Sequence, residues 1–314
     1  MHALRILRNR SVLRSLRADI ERFLAEFRGT PILFFPNPGN AGDSLIAVAT
    51  LEAFARNGVD ATVIGLDAAV EGRLVLLGGG GNLIPLYPQI AEAIGRFAGR
   101  ARRLVLLPHT IRGNEAALQR LDTTCTIFCR DEPSVGHVRA VRPDLDVRLS
   151  HDMAFHIDAG KFLADEALTA RAAPLWRAAL TKHGIDETKL RDPRGVNLCR
   201  LDAESRLRPP RSDMDISHAF TFGTGPAEAR LGAWCLLKTI SVARLIVTDR
   251  LHVAIGAALL GVPCRFHDNS YGKNEAVYRQ SIAGRFSTVR FVRDASPSPN
   301  ADAKEWRARE QSKV

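Results

Sequence analysis

The sequence predicts an α/β protein of two domains, each a parallel sheet covered by helices, with the two facing each other across a central cleft. Short, apolar, β-branched segments alternate with helix-length segments, the pattern of a parallel sheet buried on both faces. The chain has 314 residues, 46% of them hydrophobic, enough for substantial cores and, at roughly 100–200 residues per domain, for two domains or one large one. Its unusual residues (glycine runs, histidines, arginines) fall where predicted strands end, and sheets of this kind bind ligands at the carboxyl ends of their strands.

Taken in order, residues 11–28 read as an amphipathic helix, with Leu13, Leu16, Ile20, Phe23, Leu24 and Phe27 at helical spacing. Such a helix packs on its own domain or rests its basic leading edge on a membrane surface, and both readings stay open. Strands follow at Pro31–Phe35, Ala61–Gly65 and Arg73–Leu77, the last running into Gly78–Gly81. A helix over Ser44–Arg56 lies between the first two. Residues 87–98 read as a helix, Arg103–Leu107 as a strand ending in Pro108 and His109, and residues 114–121 as a helix. Thr126–Cys129 is a strand, Pro133–Val141 a helix, and Val147–Leu149 a strand before His151 and Asp152. Residues 158–193 are polar and helix-prone and read as a connector. The second set comprises strands Gly195–Cys199, Arg244–Val247 and Pro263–Phe266 and helices 226–243, Leu251–Leu260 and Asn274–Ile282. The expected division is an N-terminal helix (1–29), an N-terminal domain (30–157), the connector (158–193), a C-terminal domain (194–293) and a polar tail (294–314).

Composition narrows the function. There are 44 basic and 34 acidic residues, a net charge of +10, which suits nucleic acid, an anionic membrane surface or an acidic substrate. The basic residues are spread along the chain, and neither an aromatic-basic RNA signature nor a helix-turn-helix pattern stands out, so nucleic acid is not an expected partner. No stretch approaches the roughly 18 apolar residues of a membrane span. The first thirty residues lack the apolar run and cleavage site of a secretory signal, so the expected location is the cytoplasm. Five cysteines, an odd number without CxxC spacing, argue against a disulfide scaffold or a zinc site. Cys125 and Cys129 sit in an apolar run and are expected as buried thiols. HExxH, GxSxG and a Cys/His metal cluster are all missing, so a site of Arg and His without metal or cofactor is expected.

Five motifs carry the chemistry. NPGNAGD over residues 37–43 links a strand to a helix. Its backbone N–H groups and the helix dipole suit an anion, which makes Gly39, Asn40 and Asp43 candidate ligand contacts, with Asp43 or Ser44 as N-cap. A purely structural tight turn is the other reading. GGGGN over 78–82 places Gly80 and Asn82 at a strand end, where four glycines point to close approach of backbone to a ligand or to another segment. His109 ends a strand within PHT. Arg130, in CRDE, leaves an apolar strand and needs an anion, either an internal carboxylate or a bound phosphate or carboxylate. TDRLH over 248–252 sets Arg250 and His252 at a strand end before a helix, and Lys273 adds charge after the next strand.

In this order the motifs resemble the polysaccharide pyruvyl transferase family. The matching segments are NPGNAGDSLI, GGGGN, LPHT, CRDE, HDMAF and TDRLHVAIGAALLGVPCRFHDNSYGK, within residues 33–282. The resemblance implies a GT-B-like fold of two Rossmann-like domains, phosphoenolpyruvate as donor, a sugar hydroxyl pair as acceptor, a cyclic pyruvate ketal as product and loss of phosphate. It also implies that His109, Arg130, Arg250 and His252 occupy the family's basic site positions. The chemistry assigns Arg130 and Arg250 to the donor's two anionic groups. It makes His252 the general acid/base, with His109 second. The acceptor is expected to be a sugar of an exopolysaccharide repeat, and a lipid-linked oligosaccharide at the inner face of the membrane would fit the N-terminal helix. Two alternatives remain: a glycosyltransferase using a nucleotide sugar on the same fold, and a non-catalytic binder of anionic glycan.

Overall fold

The structure is a computed structural model that describes residues 2–206 and 212–293, with side chains from residue 10 onward. The predicted polar tail, 294–314, lies outside the described residues. The first half comprises α1 (His2–Ala25), β1 (Pro31–Phe35), α2 (Ala41–Asn57), β2 (Asp60–Val63), β3 (Leu74–Leu77), β4 (Gly80–Leu83), α3 (Gln89–Phe97), β5 (Arg103–Ile111), α4 (Glu115–Leu118), β6 (Thr126–Cys129), α5 (Glu132–Val141) and β7 (Asp146–Leu149). A 3₁₀ turn, Met153–His156, leads to α6 (Ala159–Leu163), α7 (Glu166–Lys182) and α8 (Glu187–Leu190). The rest comprises β8 (Val196–Asn197), α9 (Ile216–Ala219), α10 (Pro226–Val242), β9 (Ile246–Thr248), α11 (Leu251–Leu260), β10 (Cys264–His267), α12 (Lys273–Val277) with a π turn over Tyr278–Ile282, and β11 (Val289–Val292).

Among the described residues the named strands pair in parallel, and the only antiparallel pairings are two isolated bridges, Glu71 with Ala101 and Ile84 with Tyr87. The larger sheet runs β2-β1-β3-β5-β6-β7, with β4 added beside β5, and the smaller runs β11-β10-β9-β8. The strands are short and apolar on both faces because helices cover both sides. Leu74–Leu77 and Thr126–Cys129 are buried at every position.

One apolar cluster runs from Leu16 of α1 through Phe54 of α2 and Trp234 and Leu237 of α10 to Val289 of β11, so the two sheets share a core. A second, with Leu77, Phe97, Leu106 and Ile127, fills the other face of the larger sheet. The helices α2 and α10 join the halves, and their contact is the most extensive between any two elements. Small residues allow it. A Cβ on Gly232 would stand 2.8 Å from the Phe220 carbonyl and 3.1 Å from Ser44 Oγ, and that hydroxyl donates across the interface to Gly223 O at 3.0 Å.

The first helix is spent on this core. Leu16, Ile20, Phe23, Leu24 and Phe27 are buried, each contributing on the order of 1.5–3 kcal/mol before chain entropy is counted. Arg17 ties the helix down by donating to Phe155 O at 2.7 Å and Ile157 O at 2.8 Å. From Leu16 onward the apolar face of the helix is therefore packed inside the protein. Among the described residues no helix is long and apolar enough to cross one. The predicted connector is likewise structural: α7 buries Leu168, Ala172, Trp176 and Leu180, and Trp176 Nε1 donates to Thr239 of α10 at 2.9 Å. All five cysteines are free and buried.

Candidate functional site

Strand ends of both sheets and the starts of α2, α11 and α12 build the site. After β1, the chain turns through Pro36–Gly39 and enters α2 with a capping box. Asn40 Oδ1 accepts from Gly42 N at 2.8 Å, while Asp43 Oδ2 accepts from Asn40 N at 2.9 Å. The N-cap is thus Asn40, not Asp43 or Ser44, because Asp43 serves as the reciprocal N3 partner. Asn37 Nδ2 donates to the other Asp43 oxygen at 2.8 Å. Burial raises the Asp43 carboxyl above its usual range, partly offset by the nearby His252 and Arg130.

The glycine run after β3 does not stay a loop: it continues as β4, with Gly80 opposite His109 of β5. Gly80 has φ +152°, and a Cβ there would lie 2.2 Å from Asn37 Nδ2, so backbone geometry and close approach both require glycine. Asn82 Nδ2 donates to Pro38 O at 3.1 Å, bracing the turn before α2.

Arg130 leaves β6 fully buried. Its Nε donates to Thr110 Oγ1 at 2.9 Å and its Nη1 to Asp152 Oδ2 at 2.5 Å. The carboxylate that answers Arg130 is therefore Asp152. The adjacent Asp131 instead caps α5, accepting from Ser134 N at 2.9 Å. Asp152 also faces His252, with Oδ2 3.6 Å from Nε2. Burial alone would raise its carboxyl, but Arg130 and His252 hold it well below the usual range. The His252 ring lies over the first turn of α2, where a Gly42 Cβ would come within 2.2 Å of Nδ1. The structure thereby corrects the role expected for His109. The strand β5 runs on to Ile111, so His109 sits inside the sheet between Gly80 and Cys129. Burial and Arg130 push its imidazole down to about 3, which favours the neutral form, and the ring does not line the cavity. Its Nε2 lies 3.5 Å from Asn82 Oδ1, where it braces a cavity residue from behind.

From the smaller sheet, Arg250 at the start of α11 pairs with Asp215 through both Nε and Nη2, and Nη2 also reaches Asp202 Oδ2 at 2.8 Å. Asp202 meets Arg200 Nε at 3.5 Å, and Arg200 pairs with Glu204. Glu204 accepts from Lys273 Nζ at 2.9 Å, Asn269 Nδ2 at 3.0 Å and Tyr87 Oη at 2.8 Å. The last bond crosses between the halves. Desolvation opposes the charge of Glu204, but Lys273 and Arg200 outweigh it and lower the carboxyl far below its usual range. Burial brings Lys273 down to about 8.

These groups enclose a cavity of ≈ 210 Å³ between the two halves. Of the residues nominated from sequence, Gly39, Asn40, Asp43, Asn82, Arg130, Arg250, His252 and Lys273 line it. Gly80 and His109 stand one layer behind; of the glycine run, Gly81 is on the wall. Arg200, Glu204, Tyr87 and Gln89 line it as well and escaped the sequence reading. Arg200, just after the strand GVNLC, carried the same signal as Arg130, a guanidinium leaving an apolar strand.

Parallel sheets whose strand ends bring arginine, lysine and histidine onto one small cavity define an α/β protein with a charged site between its two sheets. The family model of polysaccharide pyruvyl transferase matches residues 40–271, which span the site from Asn40 to Arg250 and His252. The chain belongs to that family. It is 25% identical over 286 residues to General stress protein 30 of Bacillus subtilis, covering 82% of this chain and 79% of that one. The crystal structure of an uncharacterised protein from Klebsiella pneumoniae superposes with a TM-score of 0.70 at 26% identity, covering 89% of this chain and 99% of that chain.

Proposed function

We propose that the protein transfers the pyruvyl group of phosphoenolpyruvate onto two hydroxyls of a polysaccharide sugar, forming a cyclic ketal and releasing phosphate. The carrying observation is the convergence of Arg130, Arg250 and His252, from both sheets, on a cavity of ≈ 210 Å³. That volume lies below the roughly 300–1,000 Å³ typical of sites for larger ligands. It suits a three-carbon phosphate ester better than a nucleotide sugar. Two sheets feeding one cavity also support the GT-B-like reading, with domain limits near 30–157 and 194–293.

In this mechanism the guanidinium groups hold the donor's two anionic groups, and the first turn of α2 adds backbone N–H groups to the same field. His252, in its imidazolium form, gives a proton to the methylene carbon. Asp152 Oδ2 stands 3.6 Å from its Nε2. The C2 carbon becomes electrophilic, one sugar hydroxyl adds to it, and that hydroxyl's proton returns to the imidazole. Breakage of the C2–O bond then releases phosphate, which leaves with a proton. The second hydroxyl closes the ring on C2 and loses its proton to base. One donor and one diol give one ketal and one phosphate, with no redox change.

The test measures phosphate release from phosphoenolpyruvate with a depyruvylated exopolysaccharide fragment, together with mass spectrometry of the glycan. Phosphate release matched by addition of one pyruvyl ketal supports the reading. Nucleotide release from a sugar nucleotide under the same conditions supports a glycosyltransferase instead. Saturable anion binding with no turnover of either donor supports a binding protein.

A further inference from the structure

The segment between β7 and α6 carries Asp152, the carboxylate that pairs with Arg130 and faces His252. Asp152 caps the 3₁₀ turn Met153–His156, its Oδ1 accepting from Ala154 N at 2.8 Å. The carboxylate therefore moves with the turn. The turn is weakly held by its own backbone: Phe155 N reaches Asp152 O at 3.2 Å and Ile157 N reaches Ala154 O at 3.5 Å, in keeping with the poorer bond geometry of a 3₁₀ segment. Neighbouring elements fix it instead. Ahead of Asp152, His151 Nδ1 lies 2.9 Å from Ser281 Oγ, and Gln280 Nε2 donates to Ser150 O at 3.3 Å. Behind it, Arg17 of α1 donates from Nε to Phe155 O at 2.7 Å and from Nη2 to Ile157 O at 2.8 Å. Both bonds are shorter than the turn's own backbone bonds. A guanidinium presents its donors in a rigid planar fork, so the two carbonyls are held in one relative geometry. Burial and the neighbouring Arg56 oppose the charge of Arg17, yet its hydrogen bonds to described residues go to these two neutral carbonyls.

We infer that Arg17 is a positioning residue for the reaction: its two bonds hold the turn that sets Asp152 against Arg130 and His252. The inference rests on the proposed transfer and adds a role for the N-terminal helix, no described residue of which lines the cavity. The buried apolar face of α1 docks the helix, and Arg17 converts that docking into a constraint on the carboxylate. Without the fork, the turn relaxes on its α1 side, and Asp152 Oδ2 leaves its place 3.6 Å from His252 Nε2. A displacement of about 1 Å at a reacting centre can cost about a hundredfold in rate even when the altered residue is remote from the chemistry.

A double-mutant cycle of the wild type, R17M, D152N and R17M/D152N tests this by phosphate release at a temperature well below every melting point. R17M keeps the apolar contacts of Leu16, Ile20, Phe23, Leu24 and Phe27, and R17Q, which retains one donor group, replaces it if R17M does not fold. The expected result is a kcat lower by about ten- to hundredfold in R17M, with KM for the glycan within about twofold of the wild type. Adding R17M to D152N should cost less than about a further twofold, because the two residues act through one carboxylate. A merely structural arginine lowers the melting point and leaves kcat alone, or lowers kcat by the same factor in both backgrounds; either outcome overturns the inference. A crystal structure of the arginine variant reads the same point without turnover. Residues 153–157 should shift and the separation of Asp152 Oδ2 from His252 Nε2 should exceed 3.6 Å, whereas an unmoved Asp152 overturns the inference. Wild type that releases no phosphate from phosphoenolpyruvate removes the proposed transfer, and the crystal structure then still decides whether Arg17 holds Asp152.

Discussion

Asp152→Asn probes the hinge between stability and chemistry. The carboxylate is fully buried, bonded to Arg130 Nη1 at 2.5 Å and 3.6 Å from His252 Nε2. Asparagine keeps the shape and removes the charge, leaving the Arg130 guanidinium without its buried counter-ion. Breaking a buried pair from one side costs about 3–5 kcal/mol. With an unfolding entropy near 2.1 cal/mol/K per residue over the chain, that predicts a melting temperature lower by about 5–8 °C. The imidazolium of His252 loses the same counter-charge, so turnover should fall by about 10²–10⁴, the range of one general acid/base contribution. Differential scanning fluorimetry reads the first effect and phosphate release the second. A shift below about 1 °C together with near-normal turnover would refute the view that Asp152 holds both cations.

Other perturbations separate the remaining roles. His252→Ala should reduce turnover by about 10²–10⁴ while the protein melts near the wild-type temperature; preserved turnover removes His252 from the mechanism. Gly42→Ala puts a methyl group 2.2 Å from His252 Nδ1 and should displace the ring, lowering turnover with donor affinity retained in calorimetry. Buried His109 and His156 both have imidazoles held neutral, well below their usual value. Because the folded values are lower than the unfolded one, stability is full above about pH 6.5 and falls as pH drops, by about 1.4 kcal/mol per pH unit for each histidine. Melting scans should show that slope, and His109→Gln should flatten it; an unchanged slope counts against a neutral buried His109.

Where apolar periodicity was strong, the sequence located elements to the residue: strands Pro31–Phe35 and Thr126–Cys129 and helix Leu251–Leu260 coincide with the structure. The strand β4 was hidden because a glycine run reads as a break, and only tertiary crowding by Asn37 and Arg130 makes it a strand requirement. His109 was misjudged for a related reason. Proline at 108 marked a strand end, yet β5 continues to Ile111 by pairing with β4 and β6. Individual cations were visible in sequence, but their carboxylate partners were not. Arg250 finds Asp215 35 residues away, and Tyr87 finds Glu204 117 residues away. Asp131 and Asp249, the carboxylates next to Arg130 and Arg250 in the chain, are instead taken by the α5 cap and the Arg200 backbone N–H.

The most direct test of the account is equilibrium binding of phosphoenolpyruvate and of a panel of sugar nucleotides to the wild type and to an R130Q/R250Q double variant. The account predicts saturable binding of phosphoenolpyruvate to the wild type, its loss in the folded double variant, and no comparable binding of any sugar nucleotide. A sugar nucleotide that saturates the wild type while phosphoenolpyruvate gives no signal would contradict it.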